Sequence, residues 1–352
     1  MAVRKVGTCR IVRELGRGGM GVVFEAFQEG LDRRVAVKAL DAKLARSREL
    51  VERFKREGRA YAQLRHQAVV AVHDLVEKED TLYLVTDFVD GADLNRVLTQ
   101  GGPLPPACIA VVGSRVADAL DYVHFNKLLH RDVKPANVMV SRDGEVKLMD
   151  FGIAKDQTAS DLTRDGMLVG SPSYLAPEVL GGEPADAKAD IWALGVTLYE
   201  LACGEKPFRG PDAEMLFNAI RRGEFPRLRS VAPSVPRRLA RAIEKCLEKR
   251  PRARWKTAGA MARELERCAD RVLGGIHPQA RLVALMAHRG FAQEEEALTK
   301  IDRASLLATR AVDEGTGTAP APAVPRHGLR WRWALMVALA AAAGLTAWLV
   351  RF

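Results

Sequence analysis

Between two apolar runs, Val138-Met139-Val140 and Val146-Lys147-Leu148-Met149, the chain carries Asp143-Gly144, a pair that strongly favours a tight turn. A hairpin closed there brings Asn137 on one flank beside Asp150 on the other. An amide and a carboxylate held together are oxygen ligands of the kind Mg²⁺ takes. His130-Arg131-Asp132 lies just upstream, followed by Lys134, so Asp132 falls within reach of whatever such a metal activates. The expected chemistry is the movement of a phosphate.

The 352 residues, 48% of them hydrophobic, suffice for a two-lobed body with chain to spare. A formal charge of +10 raises nucleic acid as a partner, but there is no RNA- or DNA-binding motif and no basic helix interleaved with aromatics, so none is expected. Arginines that solvate the surface and favour acidic partners or anionic lipid account for the charge. Five cysteines, Cys9, Cys108, Cys203, Cys246 and Cys268, lack metal-binding spacing and fit a reducing compartment. No apolar segment at the N-terminus suggests export.

The regular patterns fall into two blocks. Cys9–Leu15, Val22–Phe27 and Arg34–Leu40 alternate as strands, with a glycine turn between the first two, and Leu82–Thr86 is another strand. Glu49–Leu64 predicts a helix with Leu50, Phe54, Tyr61 and Leu64 on one stripe, and Glu57 falls on that stripe, where a carboxylate needs a partner. Helices dominate from Ala107 to about Leu273. A small sheet with one helix, then a large helical mass, is an α+β fold in two lobes.

The C-terminal part differs in kind. Residues 279–312 are partly amphipathic, with Glu294-Glu295-Glu296 as a solvated face, and Glu314–Pro325 is a Pro- and Ala-rich tether. From Trp331 to Val350 the chain holds one charge, Arg332, and is long enough to cross a bilayer as a helix, with Trp331, Trp333 and Trp348 near its ends. Arg326, Arg330 and Arg332 precede the span, so a single pass through the cytoplasmic (inner) membrane, with the long N-terminal body in the cytoplasm, is expected. With Arg351 and Phe352 after it, an external sensor domain is not expected. The division anticipated is a catalytic domain over 9–273, a juxtamembrane region and linker over 274–330 and a transmembrane helix over 331–350.

Gly16, Gly18 and Gly21 within Leu15–Val23 (LGRGGMGVV) have the G-x-G-x-x-G spacing. Dinucleotide-binding folds use the same spacing, but a helix follows the glycines there, whereas Val22-Val23 leads into a strand here. A glycine hairpin can lie over a triphosphate because bare backbone amides approach oxygen closely; a mobile surface turn is the alternative. In Val35-Ala36-Val37-Lys38 the strand period puts Ala36 and Lys38 on one face. Lys38 beside such a hairpin supplies charge to the α and β phosphates, and the stranded Glu57 is a natural partner for it.

These motifs, with Ala176-Pro177-Glu178 further on, occur in the order of the eukaryotic-type (Hanks-type) serine/threonine protein kinases that many bacteria carry, and the chain resembles that family from about Cys9 to Leu273. Asp190 in DIWALG and Arg254 in PRAR also match. The resemblance implies that Asp190 anchors the catalytic loop and that Arg254 pairs with Glu178. It implies that Asp132 accepts the proton of a Ser or Thr hydroxyl, Lys134 steadies the transferring phosphate, and Asn137 and Asp150 hold Mg²⁺ (or Mn²⁺). ATP would lie along Leu15, Gly16, Arg17, Gly18, Gly19, Met20, Gly21, Val22 and Val23. Ala36 and Met139 add to the walls of the adenine slot, with Thr86 at its back, Asp87 to Val89 as the hinge, and Ser171 beside the acceptor. A nucleotide-binding pseudokinase scaffold is the alternative, though such chains usually lose Lys38, Asp132 or Asp150. Small-molecule kinases commonly lack the Ala-Pro-Glu segment and the counterparts of Asp190 and Arg254.

Arg131, ahead of Asp132, suggests control by an anion on the activation segment, since an uncompensated arginine disfavours the competent loop. Thr163, phosphorylated, is the first candidate, ahead of Thr158, Ser160 and Ser173; where relatives often carry a second threonine this chain has Asp165, which would neutralise Arg131 in part. Gly58, beside Glu57, costs the helix about 1 kcal/mol relative to alanine. Control is expected through dimerisation in the membrane or through partner proteins binding residues 274–330.

Overall fold

The computed structural model describes residues 5–18, 21–40, 48–79, 81–152 and 172–292. The chain divides into two units, Met1–Thr309 and Arg310–Phe352, and every described residue belongs to the first. Its N-terminal lobe is a six-stranded antiparallel sheet of β1 (Lys5–Val6), β2 (Cys9–Gly18), β3 (Gly21–Gln28), β4 (Arg33–Leu40), β6 (Thr81–Asp87) and β5 (Val72–Lys78), in that spatial order. The β4 alternation read from the sequence sorts its two faces. Val35 and Val37 are fully buried with Val6, Ala26, Tyr83 and Val85, while Ala36 and Lys38 face the cleft between the lobes. Helix α1 (Arg48–Tyr61) lays Phe54 and Tyr61 into the main core, as its 3.6-residue stripe requires.

The C-terminal lobe is helical: α2 (Leu94–Gly101), α3 (Pro106–Phe125), α4 (Pro177–Leu180), α5 (Ala187–Cys203), α6 (Ala213–Arg222), α7 (Leu228–Val231), α8 (Arg237–Cys246), α9 (Ala258–Leu273) and α10 (Pro278–His288). Helices α3 and α5 are apolar almost all round and form its centre, with α9 packed along α3. Against them lies a second sheet of β7 (Gly91–Asp93), β8 (Val138–Ser141) and β9 (Val146–Leu148). The last two are the expected hairpin, in register Val138↔Leu148 and Val140↔Val146.

The packed body does not stop at residue 273. Helix α10 buries Leu282, Leu285 and Met286 in the same core as α3 and α9, each worth roughly 1.5–3 kcal/mol on burial, and Phe291 and Ala292 pack against that core. The start of the anticipated juxtamembrane region is therefore part of the C-terminal lobe. Among the described residues no helix is long and apolar enough to cross a membrane; the Trp331–Val350 run, the tether and the acidic cluster Glu294-Glu295-Glu296 lie outside them.

Candidate active site

Between the lobes opens a cleft of about 670 Å³. Leu15, Gly16, Val23 and Ala36 line it from the sheet, Thr86 to Val89 from the connection between lobes, and Met139 from β8, so the expected slot residues share one cavity. β2 and β3 run antiparallel to the tip of the glycine hairpin, pairing Gly16 with Val23, Arg17 with Val22 and Gly18 with Gly21; Gly19 and Met20 lie outside the described residues. The connection is braced by polar contacts that periodicity does not reveal. Asp87 receives the Ala71 N–H at 3.0 Å and meets His73 Nε2 at 2.7 Å, and Arg34 lies over the Phe88 ring, 4.6 Å from its centroid.

The catalytic loop hangs from α5. Asp190 accepts the backbone N–H of His130 at 2.9 Å and of Arg131 at 2.8 Å and meets His124 Nε2 at 2.8 Å. Burial pushes its carboxyl up, but the hydrogen bond and charge of His124, with the His130 backbone hydrogen bond, prevail and hold it below the ordinary carboxylate range. Those bonds help to fix Arg131 at φ 64°, in the left-handed region, where a non-glycine residue costs roughly 1–3 kcal/mol. Asp150 has φ 56°. Beyond it, Gly152 donates its N–H to His130 O at 2.9 Å, and a Cβ on Gly152 would come within 3.3 Å of that same oxygen. A glycine therefore lets the two loops close on each other.

Within this frame Asp132, Lys134 and Asn137 converge. Lys134 Nζ lies 2.9 Å from Asp132 Oδ2, and Asn137 Nδ2 donates to Asp132 O at 2.7 Å and to its Oδ2 at 2.9 Å. Asn137 O accepts the Met149 N–H at 2.9 Å, which joins the start of the hairpin to the residue before Asp150. The side-chain Nδ2 of Asn137 is thus committed to Asp132, and the side-chain Oδ1 is the atom that can serve as a ligand. With the Asp150 carboxylate at the other end of the hairpin, the oxygen donor set suits a hard divalent cation beside a phosphate. The glycine backbone of the β2–β3 hairpin and the Lys38 ammonium on the adjacent strand β4 line the same cleft and fit a nucleoside polyphosphate.

The expected Lys38–Glu57 pair is not formed. Lys38 Nζ lies 2.8 Å from Asp150 Oδ1, and Glu57 Oε1 accepts from Arg131 Nη1 at 3.3 Å. The pairing leaves Glu57 Oε2 buried without a hydrogen bond. Burial accordingly holds the Glu57 carboxyl above its usual range, against the pull of Arg131.

A second link between α1 and the loops is not visible in the sequence patterns. Tyr61 stacks on Phe151 with centroids 4.2 Å apart, Phe151 meets His130 at 4.7 Å, and Tyr61 Oη donates to Leu129 O at 2.9 Å. His130 is fully buried, and desolvation lowers its pKa against the nearby carboxylates, so the neutral ring packs in the stack while its Nε2 contacts Met149 O at 3.0 Å. The available signal was Tyr61 four residues after Glu57, one helical turn along the same stripe.

Farther out, Glu178 and Arg254 form the expected bidentate pair at 2.6 and 2.7 Å, both buried, with the guanidinium 4.8 Å from the centroid of Trp192. Thr158, Ser160, Thr163, Asp165 and Ser171 lie outside the described residues; Ser173 sits in the short 3-10 turn Pro172–Tyr174.

Comparison with known proteins agrees with this geometry. Residues 9–265 match the family described as protein kinase domain. The chain is 35% identical over 264 residues to the serine/threonine-protein kinase PrkC of Bacillus subtilis, covering 75% of this chain and 41% of PrkC. It is 37% identical over 320 residues to the serine/threonine-protein kinase PknB of Mycolicibacterium smegmatis, covering 89% and 48%. It therefore spans less than half the length of these relatives. The crystal structure of the Mycobacterium tuberculosis PknI kinase domain superposes with a TM-score of 0.61 at 31% identity, covering 75% of this chain and 97% of that one. A catalytic loop hung from Asp190, a hairpin joining Asn137 to Asp150 and a match across most of the chain lead to one conclusion: this protein belongs to the protein kinase family.

Proposed function

We propose that this protein is an ATP-dependent serine/threonine protein kinase. The observation that carries the reading is the cluster of Asp132, Lys134 and Asn137, closed by hydrogen bonds of 2.7–2.9 Å and tied through the hairpin to Asp150 beside Lys38. Asp132 orients a Ser or Thr hydroxyl and takes its proton as the oxygen bonds to the γ-phosphorus; the bond from that phosphorus to the bridging oxygen breaks and ADP leaves. Lys134 bears on the phosphoryl oxygens in flight, and Lys38 on the α and β phosphates. Mg²⁺ (or Mn²⁺), held by Asn137 and Asp150, would neutralise phosphate charge. A pseudokinase scaffold is disfavoured, because Lys38, Asp132 and Asp150 are all retained.

In the arrangement described, Arg131 occupies Glu57 and Lys38 leans on Asp150. An anion drawn to Arg131 would release Glu57 to Lys38 and free the Asp150 carboxylate for the metal. Phosphate on Thr163 is our candidate, with Asp165 giving part of the effect; equal activity of wild type and Thr163→Ala after autophosphorylation would contradict this.

We further propose that the protein lies at the cytoplasmic face of the inner membrane, with Trp331–Val350 as a single span and Glu314–Pro325 as its tether, acting on protein substrates and controlled by dimerisation or by partners that bind residues 274–330. Removing residues 331–352 should release it to the soluble fraction. The catalytic reading is tested by incubating the protein with labelled ATP, Mg²⁺ and a generic basic protein and mapping the sites. Label on Ser and Thr is expected; absence of transfer to itself or to the added protein would favour the scaffold.

A further inference from the structure

Beyond residue 273 the chain packs back onto the C-terminal lobe, and three of its contacts reach the hairpin turn and the helix that borders the cleft. At the start of α10, Gln279 Nε2 donates to Asp143 O at 2.7 Å, in the turn of the hairpin that joins Asn137 to Asp150. Gly144 in that turn has φ 77°, and a Cβ there would come 2.5 Å from Gln279 O. Past the end of α10, the Arg289 guanidinium donates to Val97 O and Gly102 O at 3.2 Å and to Pro103 O at 3.1 Å. Val97 lies in α2 and Gly102 and Pro103 directly follow its last residue, so the guanidinium sits at the C-terminal end of the helix, where acceptors are left unsatisfied and the dipole favours a cation. Two residues later the Phe291 ring lies 5.4 Å from Arg96 Cζ, and Arg96 lines the mouth of the cleft.

Helix α2 is thus held at both ends. Asp93, also in the cleft wall, caps its N-terminus by accepting the Arg96 N–H at 3.0 Å, and Arg289 caps its other end. Gly101 makes room for this: a Cβ on it would lie 1.7 Å from Arg289 Nη1, so any side chain at 101 must expel the guanidinium. Asp93 also pairs with Met139 across β7 and β8, so a shift of α2 is felt at the base of the slot.

We propose that residues 278–292 form a clasp that positions α2 and the β8–β9 hairpin for nucleotide binding, with Arg289 as its positioning residue and the nucleotide as the ligand that reads it. The proposal rests on the kinase reading for its substrate but not for its geometry. Loosening the clasp lets Asp93 and Arg96 drift at the cleft mouth while Asp132, Lys134 and their anchor Asp190 stay in place. Affinity for nucleotide should fall and turnover should not.

The test compares full-length wild type, Arg289→Ala, Arg289→Lys, Gly101→Ala and the Arg289→Ala/Gly101→Ala double variant. Calorimetry gives Kd for MgADP, transfer assays give KM for ATP and kcat, and a melting curve gives the folded fraction. Arg289→Ala and Gly101→Ala should each raise Kd and KM by about fivefold, the equivalent of about 1 kcal/mol, with kcat within about twofold. Arg289→Lys should recover part of the loss, and the double variant should be no worse than either single change, since both remove one contact. Unchanged Kd and KM with a lowered melting temperature would overturn the clasp as a positioning device, as would a loss of kcat at constant KM. A wild type that binds MgADP but transfers no phosphate sinks the kinase reading and leaves the clasp to be judged on Kd alone. A wild type that binds no MgADP overturns both.

Discussion

Arg131 donates to Glu57 across the active site, Nη1 to Oε1 at 3.3 Å, in place of the lysine that a strand-and-helix reading assigns to that carboxylate. The exchange makes Arg131 a restraint on α1 as well as a neighbour of Asp132. Removing the guanidinium while keeping the backbone N–H that Asp190 holds should lift the restraint. In unphosphorylated protein Arg131→Ala should raise the initial rate of autophosphorylation by up to about tenfold, the effect of relieving roughly 1.4 kcal/mol. A rate equal to or below that of wild type would show that Arg131 does not hold the helix back.

The same carboxylate predicts a pH dependence. Because burial raises the folded pKa of Glu57, the folded state binds its proton more tightly than the unfolded state does. The contribution to stability is full below the unfolded value of about 4.3 and is lost as pH rises through the folded value. Glu57→Gln removes this dependence, so its stability relative to wild type should increase from pH 4 to pH 7 in denaturant titrations. A difference that stays flat, or shrinks, over that interval would be the wrong sign.

The hairpin, and with it the approach of Asn137 to Asp150, follows from Asp143-Gly144 between two apolar runs, since turn chemistry and strand period are local. The division of β4 into a core face and a cleft face is local too, and Val35 and Val37 are fully buried as it requires. The partner of Glu57 was not legible, because it depends on how α1 docks against the rest of the body, which the helix period does not encode. Arg289 was equally hidden. Its partners are backbone carbonyls of Val97, Gly102 and Pro103, nearly two hundred residues away in sequence, and backbone acceptors carry no side-chain signature.

Gly58 offers a stabilising change. It lies inside α1, and a Cβ there would meet Leu84 Cδ1 at 4.0 Å, an ordinary contact. Gly58→Ala should therefore gain about 1 kcal/mol of helix propensity and raise the melting temperature by about 2–4 °C. A lower melting temperature would mean that the helix needs its glycine.

The Glu178–Arg254 pair should behave in the opposite way. Both side chains are almost fully buried and bonded twice to each other, so removing one partner strands the other's charge. Glu178→Ala should cost about 3–5 kcal/mol in denaturant unfolding. A cost below about 1 kcal/mol, the range of surface pairs, would show that water reaches the guanidinium.

The most direct measurement compares Asp132→Asn with wild type for two quantities in one preparation: MgATP affinity, and the rate of phosphate transfer to Ser and Thr. Asparagine keeps the size of the side chain but cannot take the hydroxyl proton. Transfer should fall by about 10²–10⁴-fold while MgATP affinity stays within about threefold, because the cleft walls and Lys38 are untouched. Transfer by Asp132→Asn within a few-fold of wild type would contradict the account at its centre.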